Sequence, residues 1–209
     1  MKKTVSDLIN HCKLALSRNV QYVYGAKMEV LTSSQIKSLQ LRYGKNCVWD
    51  EDLKNAGKLC CDCSGLISSC TGIVRNSSGY KQSAEKVVNV SEIYKNWSNY
   101  VGWAVWLDGH IGVVSDKEGY YYAMDGSARD MVHFPMSRQK WVYALKLCDI
   151  DYSANTVKVK DIPVSVNGVI GSAKGVNIDG YNYFKIRDVA DMTGAFKVSY
   201  ENGRVVILV

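Results

Sequence analysis

Four short runs between Trp103 and Leu147 constrain this chain more than any other feature. Trp103 to Leu107, His110 to Ser115, Gly119 to Asp125 and Trp141 to Leu147 are rich in β-branched and aromatic residues, the composition that suits a pleated, half-buried surface. Asp116-Lys117-Glu118 is the turn between the second and third runs, and together they predict an antiparallel meander. Ahead of them the period changes. Val5, Leu8, Ile9, Cys12, Ala15 and Leu16 recur at three- and four-residue steps, one face of an amphipathic helix with Thr4 or Ser6 as its cap. Tyr22-Val23-Tyr24-Gly25 breaks that period. A second helix is predicted over Ser33 to Leu41, inside a polar, lysine-rich insertion at residues 27 to 59. A third, short helix follows Asp62-Cys63-Ser64-Gly65, with Asp62 placed as its cap. Helices followed by antiparallel strands predict an α+β domain.

The chain has 209 residues, enough for one substantial domain and a small one. Ser153-Ala154-Asn155 is a polar joint, which predicts units at 1 to 152 and 156 to 209. The tail carries three Asn-Gly or Asp-Gly pairs, which are turn signals. Asn202-Gly203, between Phe196 to Tyr200 and Arg204 to Val209, is the strongest hairpin signature, and Ile186 to Met192 is a helix candidate. The tail is therefore expected to be a compact module of strands and one helix. With 47% hydrophobic and 22% charged residues and only 2 Pro, a disordered chain is excluded.

No stretch approaches the roughly 18 apolar residues of a membrane span. Met1-Lys2-Lys3 resembles the start of a signal peptide, but Thr4 to His11 supply no apolar region. The expectation is synthesis in the cytoplasm without a Sec signal. The net charge of +6 suits an anionic partner: nucleic acid, a membrane surface or an anionic wall polymer. Lys and Arg are scattered and accompany no nucleic-acid motif, which disfavours nucleic acid.

Seven cysteines, at 12, 47, 60, 61, 63, 70 and 148, are an odd count, which argues against a disulfide framework. Cys60, Cys61, Cys63 and Cys70 are crowded but lack the spacing of a zinc site. Cys63 stands apart because it opens a helix. There unpaired backbone N–H groups and the positive end of the dipole favour a thiolate and can also stabilise an oxyanion. The bland alternative is a buried small hydrophobe.

A thiol nucleophile needs a base, and the chain offers His11, His110 and His133. His11 lies on the polar face of the first helix, and His133 is read in a loop after the third strand. His110 starts a strand directly after Asp108-Gly109, with Gly112 two residues on. If Ser115 pairs with Tyr120, His110 falls opposite Asp125 and Gly112 opposite Ala123, all on one face. Asp125 is then the orienting carboxylate.

Asp62-Cys63-Ser64-Gly65-Leu66 and Gly109-His110-Ile111-Gly112-Val113-Val114, preceded by Tyr22-Val23-Tyr24-Gly25, resemble the three signatures of NlpC-type peptidoglycan peptidases, compact relatives of papain. The resemblance covers roughly residues 5 to 150. It implies a papain-like fold without a cofactor, and hydrolysis of a stem-peptide amide, commonly that between D-glutamate and the diamino acid. The insertion and Trp141 to Tyr152 are most similar to endopeptidase domains of endolysins from phages and prophages of Gram-positive bacteria, which reach the wall through a holin or lysis. By the same similarity Tyr22 matches a tyrosine near the thiol, and Asp62 and Ser64 match residues that receive the substrate. The family places a polar third residue, often His, where Ala123 stands here. Asp125, a backbone group or water then takes that role.

The tail, from Val164-Ser165-Val166-Asn167-Gly168 to Val205-Val206-Ile207-Leu208, resembles the small domain named after the N-terminal region of copper amine oxidases. Its only sulfur residue is Met192 and it has no His, so copper is not implied. In a lysin such a tail would target the wall, stabilise the protein or dimerise it. Three functions follow: a cysteine endopeptidase of peptidoglycan, an amidase or acyltransferase of the same fold acting on another amide, or an inactive papain-like module that binds wall.

Overall fold

The computed structural model describes residues 2–153, 160–166, 169–178, 181–194, 196–201 and 204–208. The chain divides into two compact units, Met1–Ala154 and Asn155–Val209.

The first unit begins with β1 (Lys3–Thr4) and α1 (Val5–Ser17). Thr4 caps α1 in a reciprocal box: its hydroxyl accepts from the Asp7 N–H, and the Asp7 carboxylate accepts from the Thr4 N–H at 2.8 Å. Five of the six predicted stripe residues are buried; Leu16, in the last turn, is exposed. Next come β2 (Gln21–Tyr22), β3 (Lys27–Val30), α2 (Ser33–Tyr43) and β4 (Leu59–Cys61). β4 lies between β2, to which it is parallel, and β3, to which it is antiparallel. The insertion thus folds back on the strand that leads to Cys63. It closes a core of its own around Val23, Ala26, Leu31, Ile36, Val48 and Cys60.

α3 (Cys63–Thr71), α4 (Ser77–Ser83), β5 (Lys86–Asn89) and α5 (Ser91–Lys95) follow. The main sheet then forms from β6 (Ala104–Leu107), β7 (His110–Val114), β8 (Tyr120–Met124), β9 (Met131–Pro135) and β10 (Tyr143–Lys146), and β11 (Ile150–Asp151) pairs with β1. Its order is β5-β10-β6-β7-β8-β9, antiparallel throughout.

Two features depart from the expected meander. The sheet has β9, which takes the place beside β8, and Pro135 ends it at the sheet edge, where a missing N–H costs no ladder bond. β10 instead crosses back to lie between β6 and β5. Both faces of the sheet are covered. Trp106, Ile111, Val113, Tyr122, Met124 and Leu145 pack with α1 and α3 residues, while Val105, Val114, Tyr121, Ala123 and Ala144 pack with Ile93, Trp97, Trp103 and Trp141. This double burial explains the nearly continuous apolar runs. The first unit is an α+β domain with helices packed on an antiparallel sheet.

The second unit contains β12 (Lys160–Val166), β13 (Val169–Ile178) and β14 (Tyr181–Phe184), then α6 (Ile186–Thr193) and the pair β15 (Lys197–Glu201) and β16 (Arg204–Leu208). β13 is antiparallel to both its neighbours, and β15 to β16. Asn167-Gly168, Asp179-Gly180 and Asn202-Gly203 lie outside the described residues, as do Ala154 and Asn155 of the polar joint; the strands flanking each pair are antiparallel partners.

Candidate active site

β4 delivers the chain to Asp62, whose extended backbone caps α3 and puts Cys63 in its first turn. The buried Asp62 carboxylate accepts from the Gly65 N–H and the Ser64 hydroxyl on one oxygen, and from the Gly25 N–H at 3.0 Å and Lys27 Nζ at 2.7 Å on the other. It therefore ties the helix start to the Tyr22–Gly25 turn and to β3. Gly65 is required here: a Cβ would stand 2.4 Å from the Ala26 carbonyl oxygen and 2.9 Å from Cys61 Sγ. Tyr22 is half-buried and packs against the cluster that contains Cys63; burial and the nearby Cys63 raise its phenol.

Cys63 is 6% exposed. Burial, then the Asp62 charge, push its thiol up to about 12, against the pull of the Ile111 and Ser64 backbone N–H groups. The sequence expectation of a lowered value is thus corrected. Desolvation at this packed position outweighs the helix start.

The β7–β8 register is the one expected: Val113 faces Tyr122, Val114 faces Tyr121, and the Ser115 N–H donates to the Tyr120 carbonyl at 3.0 Å. His110 and Asp125 accordingly meet at the open end of the hairpin. His110 Nε2 lies 3.3 Å from Asp125 Oδ1, though without the alignment of a hydrogen bond. Gln139 donates to Oδ1 at 2.7 Å and Arg129 to Oδ2 at 2.6 Å. Burial raises the Asp125 carboxyl, but its contacts with His110, Arg129 and Gln139 outweigh that and hold it below its usual value.

On the imidazole lies Trp141, stacked at 5.3 Å between centroids and 12° between planes. Its indole has room because residue 112 is glycine and 123 is alanine. A Cβ on Gly112 would stand 2.8 Å from the Tyr122 carbonyl oxygen and 3.3 Å from both Ala123 Cβ and Trp141 Cη2. Small Ala123, at the position where a polar third residue was sought, thus makes way for an aromatic lid on His110. Sequence reading placed Trp141 only in a strand, because nothing local indicates a contact with residue 110.

Two clefts flank the site. One, of about 180 Å³, is lined by Cys63, Asp62, Ser64, Lys27, Tyr24 and Gly109 among others. The other, of about 420 Å³, is lined by Tyr22, Tyr24, Cys47, Trp49, Asp125 and Arg129 among others. The insertion therefore walls the site, a role its polar composition did not disclose.

His133 corrects the loop reading: it lies in β9, stacked on Tyr122 at 4.2 Å with Nε2 2.8 Å from the buried Ser115 hydroxyl. His11 Nε2 is 2.9 Å from Ser69 Oγ. All seven cysteines are free, and Cys12, Cys60, Cys61 and Cys70 are buried. Among the described residues no cluster of His, Cys, Asp and Glu is arranged to hold a metal, and no helix is long and apolar enough to cross a membrane.

No family model matches the chain, and no curated protein matches it. Two solved structures are similar to it. The P60 domain of the M. avium subspecies paratuberculosis antigen MAP1204 is 15% identical over 68% of this chain and 96% of that one, with a TM-score of 0.44. The peptidoglycan hydrolase RipB of Mycobacterium tuberculosis is 17% identical over 70% of this chain and 68% of that one, with a TM-score of 0.42.

Proposed function

We propose that the first unit is a cysteine endopeptidase of peptidoglycan, with Cys63 as nucleophile, His110 as base and Asp125 as the group that orients it. The observation that carries this reading is the thiol at the capped start of α3, held against the backbone next to His110, with a buried carboxylate behind that histidine. As the Cys63 sulfur bonds to the amide carbon, its proton passes to His110. N–H groups at the start of α3 stabilise the oxyanion. His110 then returns the proton to the departing amine as the C–N bond breaks, leaving a thioester that water hydrolyses with His110 again as base. A buried thiol pushed upward fits proton removal in step with attack.

The substrate is the wall stem peptide, cut between D-glutamate and the diamino acid, as the resemblance of Tyr22, Asp62 and Ser64 to substrate-receiving residues implies. Asp62 and Ser64 are bonded to each other and to Lys27, so they act as a fixed cleft wall. The second unit attaches the enzyme to wall. The protein acts there after release from the cytoplasm, as an endolysin does. Mass spectrometry of purified peptidoglycan digested by the protein tests the assignment: new amino termini on the diamino acid are expected, and none with Cys63→Ala.

A second reading, a papain-like module that binds wall without cutting it, is favoured by the raised Cys63 thiol and the oblique His110–Asp125 approach. Attachment to wall with no new amino termini, by the parent protein, would select it.

A further inference from the structure

Within the second unit, α6 and the start of β15 frame a groove of about 390 Å³, a volume in the usual range for a small-ligand site. Arg187, Ala190 and Asp191 line it from one face of the helix, and Phe196, Lys197 and Val198 from the strand side. Ala190 is buried, so a small side chain leaves the groove its depth. Lys174 of this unit is paired with Asp161 at 2.8 Å, and Lys185 with Asp188 at 3.0 Å. Arg187, Asp191 and Lys197 are exposed and have no hydrogen bond or ion pair among the described residues. Arg187 and Asp191 stand one turn apart, a spacing that allows an ion pair, yet they form none. Nor do they suit the helix: Arg187 is in the first turn of α6 and Asp191 in the last, each at the end whose partial charge repels it. Two cations and a carboxylate that serve neither pairing nor helix stability, gathered on one groove, complement a ligand carrying both signs of charge. A guanidinium and an ammonium suit a phosphate, a carboxylate suits an ammonium, and the half-buried Phe196 ring offers apolar surface to the carbons between them.

We propose that this groove binds a zwitterionic repeat of a phosphodiester wall polymer, with a phosphate on Arg187 and Lys197 and a neighbouring ammonium on Asp191. The inference rests on the wall-attachment reading of the second unit for the source of the ligand, and the test separates the two.

The probes are poly(glycerol phosphate) carrying D-alanyl esters, whose amines supply the ammonium, and the same polymer after the esters are removed. Affinities are measured on the full-length protein at mildly acidic pH, where the esters persist. Removing esters makes the polymer more negative, so attraction to the net charge of +6 alone would favour the stripped form. The groove predicts the opposite order, with the esterified polymer bound severalfold tighter, as an exposed ion pair to Asp191 would give. Asp191→Asn should reverse that preference. Arg187→Gln and Lys197→Gln should each weaken both polymers severalfold, whereas Lys37→Gln, which removes the same charge from an exposed position on α2, should change little. All four side chains are exposed, so the variants should keep the parent's circular dichroism and thermal midpoint. Tighter binding of the stripped polymer by the parent, equal losses from Lys37→Gln and Arg187→Gln, or no binding of either polymer would overturn the inference. Retention of the Arg187→Gln, Lys197→Gln double variant on whole cells is read separately. If it matches the parent while polymer binding is lost, the attachment reading fails and the groove stands.

Discussion

At the residue scale the site reduces to three side chains with separable effects. Cys63→Ala and Cys63→Ser are expected to abolish cleavage while leaving thermal unfolding nearly unchanged, since either substitute fits a small buried position; lysis by either purified variant would remove the assignment. The raised thiol adds a labelling prediction. Iodoacetamide should modify Cys63 of the resting protein faster as pH climbs toward about 12, whereas a rate that levels off near neutrality would reveal a thiolate already paired with His110. For Asp125→Asn, turnover on a stem peptide should fall by on the order of ten, equivalent to about 1.4 kcal/mol in the barrier; a value within twofold of the parent would end its orienting role. The same carboxyl is depressed in the fold. Its contribution to stability is thus present above the unfolded value near 3.9 and lost as pH falls through the lower folded value. Asp125→Asn should therefore flatten the acid limb of stability below about pH 4. Cys63, His110 and Asp125 were legible because a cap signal and a hairpin register are local. Arg129 was not, although only four residues from Asp125, because the loop that bends it back carries no periodic signal; Gln139 and Trp141 were not, because each comes from a segment distant in sequence.

Elements show the same division between local and distant information. α1, α2 and α3 begin where Thr4, Thr32 and Asp62 supply caps, and a cap is written in a few adjacent residues. β9 was missed because Met131 to Pro135 follows a loop and ends on proline, which weakens a strand signal although it suits an edge. The return of β10 to β6 cannot be read from its own residues, since pairing partners are chosen by the whole sheet. The hairpin of β7 and β8 also bears on function, because its small residues shape the slot for Trp141. Gly112→Ala is predicted to destabilise the protein by about 1–3 kcal/mol through overpacking. It should also cut turnover by more than the stability loss accounts for, as Trp141 is displaced from His110. Urea unfolding together with turnover at low temperature checks this: an unperturbed midpoint would show that the slot relaxes freely.

For the whole molecule, chemistry and attachment are expected to separate by unit. Every residue assigned to the site lies within Met1–Ala154, and Asn155–Val209 forms a second compact unit. Of the net charge of +6, two units come from residues 155 to 209 and four from the rest. Attraction to any anionic polymer would therefore be distributed along the chain, and loss of the tail would remove only a minority of it. A chain ending at Ala154 is accordingly predicted to be soluble and to cut a soluble stem peptide at the full-length rate. Its retention on whole cells at physiological salt should fall severalfold, more than its lost charge accounts for, if the tail recognises wall specifically. Retention that instead follows net charge, falling modestly on truncation and collapsing for both proteins in high salt, would reduce the tail to a basic appendage. Equal retention of both proteins at every salt concentration would refute the targeting role.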